Sequence, residues 1–286
     1  MNITITVEIE KRLTTPRWVQ MVTPFLSLLL ALVVIGLVFV ALGINPFFAY
    51  SRIFGGAFGS LYALSETVTK AIPLILAGIG LTLAFRARFW NIGAEGQLLI
   101  GAICATGLAL AFPAWPRIVL LSAMFVAGFV GGALWGLIPA VLKVRWQVNE
   151  VITSLMTVYI AENLVRYLVY GPWKGKEEMG FPYTSKFSPS AQLPRIGWSR
   201  IHYPTLALGL VVAVVVYILL MRTRWGYEIR VTGENPAAAR YAGMSHLKST
   251  ILVMLLSGGL AGLAGVGEVA GIHYRLRYPE GISPGY

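Results

Sequence analysis

The chain has 286 residues, 57% of them hydrophobic and only 12% charged, with 23 Lys and Arg against 12 Asp and Glu for a formal net charge of +11. Because an ordinary soluble domain is roughly 25% charged, this composition, with a mean hydropathy of +0.71, excludes a soluble globular protein. A single cysteine, Cys104, excludes an internal disulfide and a Cys-based metal site, and the scattered histidines His202, His246 and His273 give no zinc-ligand spacing.

A helix needs about 20 apolar residues to cross the hydrocarbon layer, so the chain has room for several spans. The first lies within the uncharged stretch Trp18 to Ser51, densest from Phe25 to Leu42, and is preceded by Lys11, Arg12 and Arg17. It is too long for a cleaved leader, and no small-residue cleavage site follows. Residues 1–17 therefore read as a cytoplasmic N-terminal tail. Asn45 to Ser60, aromatic and glycine-rich, reads as an outer interfacial segment. Span two, about Glu66 to Phe85, opens with an i,i+4 pair of Glu66 and Lys70 and closes on Arg86 and Arg88.

Span three, about Asn91 to Phe112, begins with the polar cluster Asn91, Glu95 and Gln97. Span four, Ile118 to Leu142, carries Gly128, Gly132 and Gly136 at four-residue spacing, which lets helices approach closely in lipid, and ends at Lys143 and Arg145. Span five, about Val148 to Tyr170, holds Asn149, Glu150, Glu162, Asn163 and Arg166, too many polar groups for a helix facing lipid all round. Glu162 and Arg166 read as a neutralising pair, and Asn149 and Glu150 as a helix start that favours a carboxylate. Residues 171–203 form a proline-rich outer loop. Span six is Pro204 to Met221, residues 222–248 a polar inner loop, and Ser249 to Ile272 the seventh span, with Gly258-x-x-x-Gly262 and Gly267-x-x-x-Gly271. At its outer end Glu268, Tyr274, Arg275 and Arg277 either contact an outer binding protein or anchor the interface.

The fold class is thus all-α, a polytopic transmembrane bundle of about seven spans in one domain, residues 1–286. The pI near 9.9 suits nucleic acid in principle. Here the basic residues sit singly or in pairs at the ends of apolar runs, where they hold loops on the cytoplasmic side, so no nucleic-acid partner is expected. Within a membrane, ionisable groups face the bundle interior or a water-filled path. Glu95 among its glycines is either such a path residue or a packing carboxylate. No G-x-x-x-x-G-K-[ST] phosphate loop and no G-x-S-x-G elbow occurs, so the chain is expected to be no enzyme and to bind no cofactor itself.

The inner loop is the most informative segment. In Gly233-Glu-Asn-Pro-Ala-Ala-Ala-Arg-Tyr-Ala-Gly-Met244, Asn235 is a good N-cap, Pro236 fits the first helical position, three alanines propagate a helix and Gly243 supplies a left-handed stop. A helix of about two turns is marginal in water and needs a surface, either a partner or lipid headgroups.

At these residues the chain resembles the permease subunits of ABC importers of the branched-chain amino acid, simple sugar and nucleoside class. Further matches are Phe89-Trp-Asn-Ile-Gly-Ala-Glu-Gly-Gln-Leu98, Asn149-Glu-Val-Ile-Thr-Ser-Leu-Met156, and Gly171-Pro-Trp-Lys174 with Gly180-Phe-Pro-Tyr-Thr184. These look closest to the nucleoside-type branch, although Met156-Thr-Val-Tyr159 departs from its usual Met-Leu-Asn-Tyr. The resemblance implies a multi-pass cell-membrane protein whose 233–244 loop couples it to a cytoplasmic ATPase that uses ATP and Mg. It also implies a second permease subunit and an extracytoplasmic binding lipoprotein. The residues implied to meet the ATPase are Glu234, Asn235, Pro236, Ala239, Arg240, Tyr241 and Gly243; candidate pathway residues are Asn91, Glu95, Gln97, Asn149, Glu150 and Tyr159. The cargo implied is a nucleoside or related nucleobase compound, with a sugar or other small polar solute as the alternative and ion-coupled secondary transport as the rival mechanism. Family members continue with further spans, so the sequence is expected to be a partial one.

Overall fold

The computed structural model describes residues 16–176 and 180–282; of the expected tail, residues 1–15 lie outside them. The chain forms two compact units, Met1–Ala63 and Leu64–Tyr286. The first contains α1 (Arg17–Ala41) and α2 (Pro46–Phe58). Gly43 turns the chain between them at φ +75°, a conformation that costs glycine nothing. Asn45 then caps α2, its side chain accepting from the backbone N–H of Phe47 at 3.0 Å and of Phe48 at 3.4 Å. Tyr50 returns to α1, donating its hydroxyl to the Leu32 carbonyl and meeting Phe39 edge-on at 5.8 Å. The expected interfacial segment is therefore a helix hairpinned against the first span.

The second unit holds most of α3 (Leu61–Arg86), then α4 (Ala94–Ala111), α5 (Arg117–Trp146), α6 (Glu150–Tyr170), α7 (Tyr203–Arg222), α8 (Arg224–Glu234), α9 (Pro236–Tyr241) and α10 (His246–Gly267), the last prolonged by a π-helical turn, Glu268–His273. All seven expected spans are helices. Six are long and apolar enough to cross a membrane, namely α1, α3, α4, α5, α7 and α10 with its extension. The seventh, α6, carries Glu150, Glu162 and Arg166 along its 21 residues, which is why it falls short.

Glycines set the core. A Cβ on Gly132 would lie 2.3 Å from the Gly258 carbonyl oxygen, and one on Gly262 2.2 Å from that of Gly128. The two glycine-spaced stripes thus let α5 and α10 meet backbone to backbone, the small-residue packing that membrane helices use where no hydrophobic force drives them together. Gly101 of α4 touches Gly262 in the same way. Leu98, Leu99, Met124, Met254 and Val266 fill the space around this three-helix centre.

Ion pairs pin the ends of the helices. Glu162 and Arg166 pair at 3.8 Å along α6, as their spacing predicts. Glu66 does not pair with Lys70. Its carboxylate meets Arg200 at 3.0 Å, because the 171–203 segment folds back onto the end of α3 and offers a guanidinium there. Arg195 likewise donates to the Gly271 carbonyl from both Nε, at 3.0 Å, and Nη2, at 2.8 Å. Glu268, read as either a binding-protein contact or an interface anchor, lies in the π-helical turn, is 2% exposed and faces His273 at 3.4 Å.

Candidate functional site

The segment between α7 and α10 is built from two short helices, of which only the second is anticipated by its motif. Thr223 caps α8 by accepting from the Gly226 N–H at 3.1 Å. Ile229, Thr232 and Gly233 are buried. Small residues seat α8 closely on its neighbours: a Cβ at Gly226 would lie 2.1 Å from the Leu219 carbonyl oxygen of α7, and one at Gly233 2.2 Å from that of Arg86 in α3. Arg230 donates to the Leu220 carbonyl. A window of polar residues with Gly226 inside it reads as a loop, and the tertiary contact with α3 and α7 makes it a helix.

α9 follows immediately. Asn235 ends α8 and accepts from the Ala238 N–H at 3.0 Å, Pro236 opens the helix, and Gly243 closes it at φ +74°. Six residues cannot hold a helix alone in water. Ala239, 1% exposed, supplies the anchor where α9 meets α8 and α10. Of the implied ATPase-contact residues, Ala239 is accordingly turned inward and presents nothing outward. Glu234, Asn235, Pro236, Arg240 and Gly243 are exposed, and Tyr241 stands out at 98% exposure. The result is a proline-started, cation- and tyrosine-tipped knob on a fixed base.

The candidate pathway residues separate into distinct settings. Asn91 and Gln97 are buried and hydrogen-bonded to one another at 3.0 Å, with Asn91 also donating to Ser257 of α10 at 3.1 Å. They lock the α3–α4 connection to α10. Glu95, in the first turn of α4, is half-buried. Asn149 caps α6, accepting from Val151 at 2.9 Å and Ile152 at 3.4 Å, and Glu150 pairs with Lys143, which itself donates to the Arg88 carbonyl at 3.4 Å. Tyr159 lies on the open face of α6. Nothing in the sequence pairs Asn91 with Ser257, since 166 residues separate them.

Long apolar helices locked by glycine contacts, with a capped helix held out beyond them, define a multi-pass membrane protein. The chain belongs to the family of permease components of branched-chain amino acid transport systems, which it matches over residues 63–277. It is 40% identical to the glucose ABC transporter permease protein TsgB13 of Haloferax volcanii, over 100% of this chain and 76% of that protein. It is also 35% identical to the guanosine ABC transporter permease protein NupP of Bacillus subtilis (88% and 72%), and 31% identical to the nucleoside permease NupB of Lactococcus lactis (86% and 70%). No solved structure matches. The chain is an ABC transporter permease subunit, and nothing in it points to catalytic activity of its own.

Proposed function

We propose that this chain is the membrane-spanning half of an ATP-driven importer for nucleosides or related nucleobase compounds, with α9 as the contact that receives force from a cytoplasmic ATPase. The carrying observation is the pairing of a buried Ala239 with exposed Pro236, Arg240 and Tyr241. A helix that short keeps its shape only against a base, and this one exposes its cation and tyrosine where a partner groove would receive them. Arg86, Arg88, Lys143, Arg145, Arg224 and Lys248 lie at the ends of apolar runs, a pattern that supports a cytoplasmic side for these turns and, by counting spans, for the N-terminus.

Closure of the ATPases on their nucleotide would push α9. Because α8 touches α3 at Gly233 and α7 at Gly226, and α9 leads through Ser245 into α10, the push reaches three spans at once and swings the pathway from outward-open to inward-open. A second permease subunit and an extracytoplasmic binding lipoprotein complete the assembly. Glu95, Asn149, Glu150 and Tyr159 are the proposed pathway residues that retain exposed surface; Asn149 also caps α6, and the buried Asn91 and Gln97 tie the start of α4 to α10.

A glucose-type cargo is the second reading, favoured by the 40% identity to TsgB13; the guanosine and nucleoside permeases among the relatives favour the first. Reconstitution with ATPase, second permease and receptor separates them by guanosine against glucose uptake. In the same assay Arg240→Glu combined with Gly243→Pro uncouples transport from ATP hydrolysis. Unchanged uptake in that variant contradicts the role given to α9.

A further inference from the structure

At the end of the second unit opposite α9, the end of α6, the 180–184 stretch and the chain beyond the π-turn line a wide-open cavity of about 440 Å³, bordered by Tyr170, Phe181, Tyr183, Arg277 and Tyr278, among others. Its walls are aromatic faces and guanidinium planes. Phe181 and Tyr183 lie parallel, centroids 5.7 Å apart, while Tyr170 meets Tyr278 edge-on at 6.3 Å. Arg166 covers the Tyr278 ring at 5.1 Å, and Arg277 the Tyr183 ring at 5.0 Å. Arg277 is held by two further contacts, Nη1 to His273 Nδ1 at 3.2 Å and Nη2 donating to the Tyr183 hydroxyl at 3.4 Å. A guanidinium carries five N–H donors, so an arginine fixed this way still offers donors beside flat apolar surface.

The chemistry that fits is a planar, uncharged ring whose edge carries carbonyl and ring-nitrogen acceptors. Stacking of a base on aromatic side chains is worth roughly 1–3 kcal/mol, and arginine planes add to it. None of the described lining residues carries a carboxylate. The same exposed face of α6 continues below Tyr170 through Tyr167 and Asn163 to Tyr159, so a ring leaving the cavity meets another run of tyrosines.

We infer that this cavity is a ring-stacking subsite, where the nucleobase of the cargo makes its first contact with the permease on the outer side. The inference rests on the nucleoside reading and adds to it a place and a set of contacts. It is tested on the assembled transporter with its receptor in proteoliposomes, using 8-azidoguanosine as a photolabel and radiolabelled guanosine and glucose as cargo. The expected result is photolabel on Tyr183 or Tyr278, competed by guanosine and not by glucose. Tyr278→Leu should then lower guanosine uptake on the order of tenfold at saturating receptor, while Tyr278→Phe, which keeps the ring, stays near wild type.

Label confined to other residues in a transporter that takes up guanosine overturns the subsite and leaves the nucleoside reading standing. Uptake of glucose without guanosine overturns both. Loss of receptor affinity in Tyr278→Leu with the photolabel elsewhere assigns the cavity to receptor docking and overturns the subsite.

Discussion

Asn91 and Gln97 exchange two amide hydrogen bonds of 3.0 Å, each side chain donating to the carbonyl oxygen of the other. Both are buried, and Asn91 reaches Ser257 as well, so the loop before α4 is tied to α10 through one side chain. Leaving a buried polar partner unsatisfied costs about 1–3 kcal/mol. Asn91→Leu strands Gln97 and Ser257 together and should lower stability by about 3 kcal/mol. Thermal melting of the detergent-solubilised subunit measures it, and a change below about 0.5 kcal/mol speaks against the network.

The α5–α10 contact leaves no room for a side chain. Since a Cβ on Gly132 would fall 2.3 Å from the Gly258 oxygen, Gly132→Val must push the two helix backbones apart at this crossing. Overpacking commonly costs 1–3 kcal/mol, and here backbone rather than a flexible side chain must give way, so about 3 kcal/mol or more is expected. Gel filtration of the variant should show aggregation or loss of the monodisperse peak. Gly78, with nothing near its Cβ position, is the control: Gly78→Ala should elute as wild type.

His202 gives the fold a pH dependence with a definite sign. It is fully buried at the start of α7, and burial pushes its imidazole below the usual histidine value of 6.5, outweighing the opposite pull of the Arg200 backbone and the Glu268 carboxylate. The unfolded chain therefore binds the proton more readily than the folded one. Stability is complete above about pH 6.5 and is lost as the pH falls below it, down through the lowered folded value. Melting temperature followed from pH 7.5 to 5 should fall in wild type and fall less in His202→Gln. Equal slopes contradict this account.

Capping of the knob is testable apart from its contacts. Asn235 accepts from the Ala238 N–H at 3.0 Å, and replacing such a cap with alanine costs about 1 kcal/mol. α9 is six residues long, so that loss falls on the local helix rather than on the bundle. Asn235→Ala should leave the melting temperature of the subunit within about 2 °C while speeding hydrogen exchange at the amides of 238–242; unchanged exchange counts against a side-chain cap.

Much of this architecture could be read from residue order alone. Runs of Leu, Val and Ile bounded by basic pairs place the spans, and Asn235, Pro236 and Gly243 carry the start and stop of α9 in their own chemistry. What escaped is whatever depends on residues far apart in the chain. Glu66 has Lys70 one turn away and takes Arg200 instead, a choice made by the fold of the 171–203 segment. α8 has a polar composition that reads as loop, and becomes a helix where Gly226 and Gly233 let it lie against α7 and α3. The inward turn of Ala239 belongs to the same group: three consecutive alanines look alike until the base beneath them is known.

The central claim is that α9 meets a nucleotide-hydrolysing subunit, and Tyr241, 98% exposed, is the place to ask. With Cys104→Ser as background, Tyr241→Cys labelled with a maleimide–benzophenone in the reconstituted transporter should photocrosslink to the ATPase subunit, in a yield that changes when ATP and vanadate trap the closed state. If the same cysteine gives no ATPase adduct in either state and reacts only with a headgroup-anchored maleimide lipid, α9 lies on the membrane and the account is wrong.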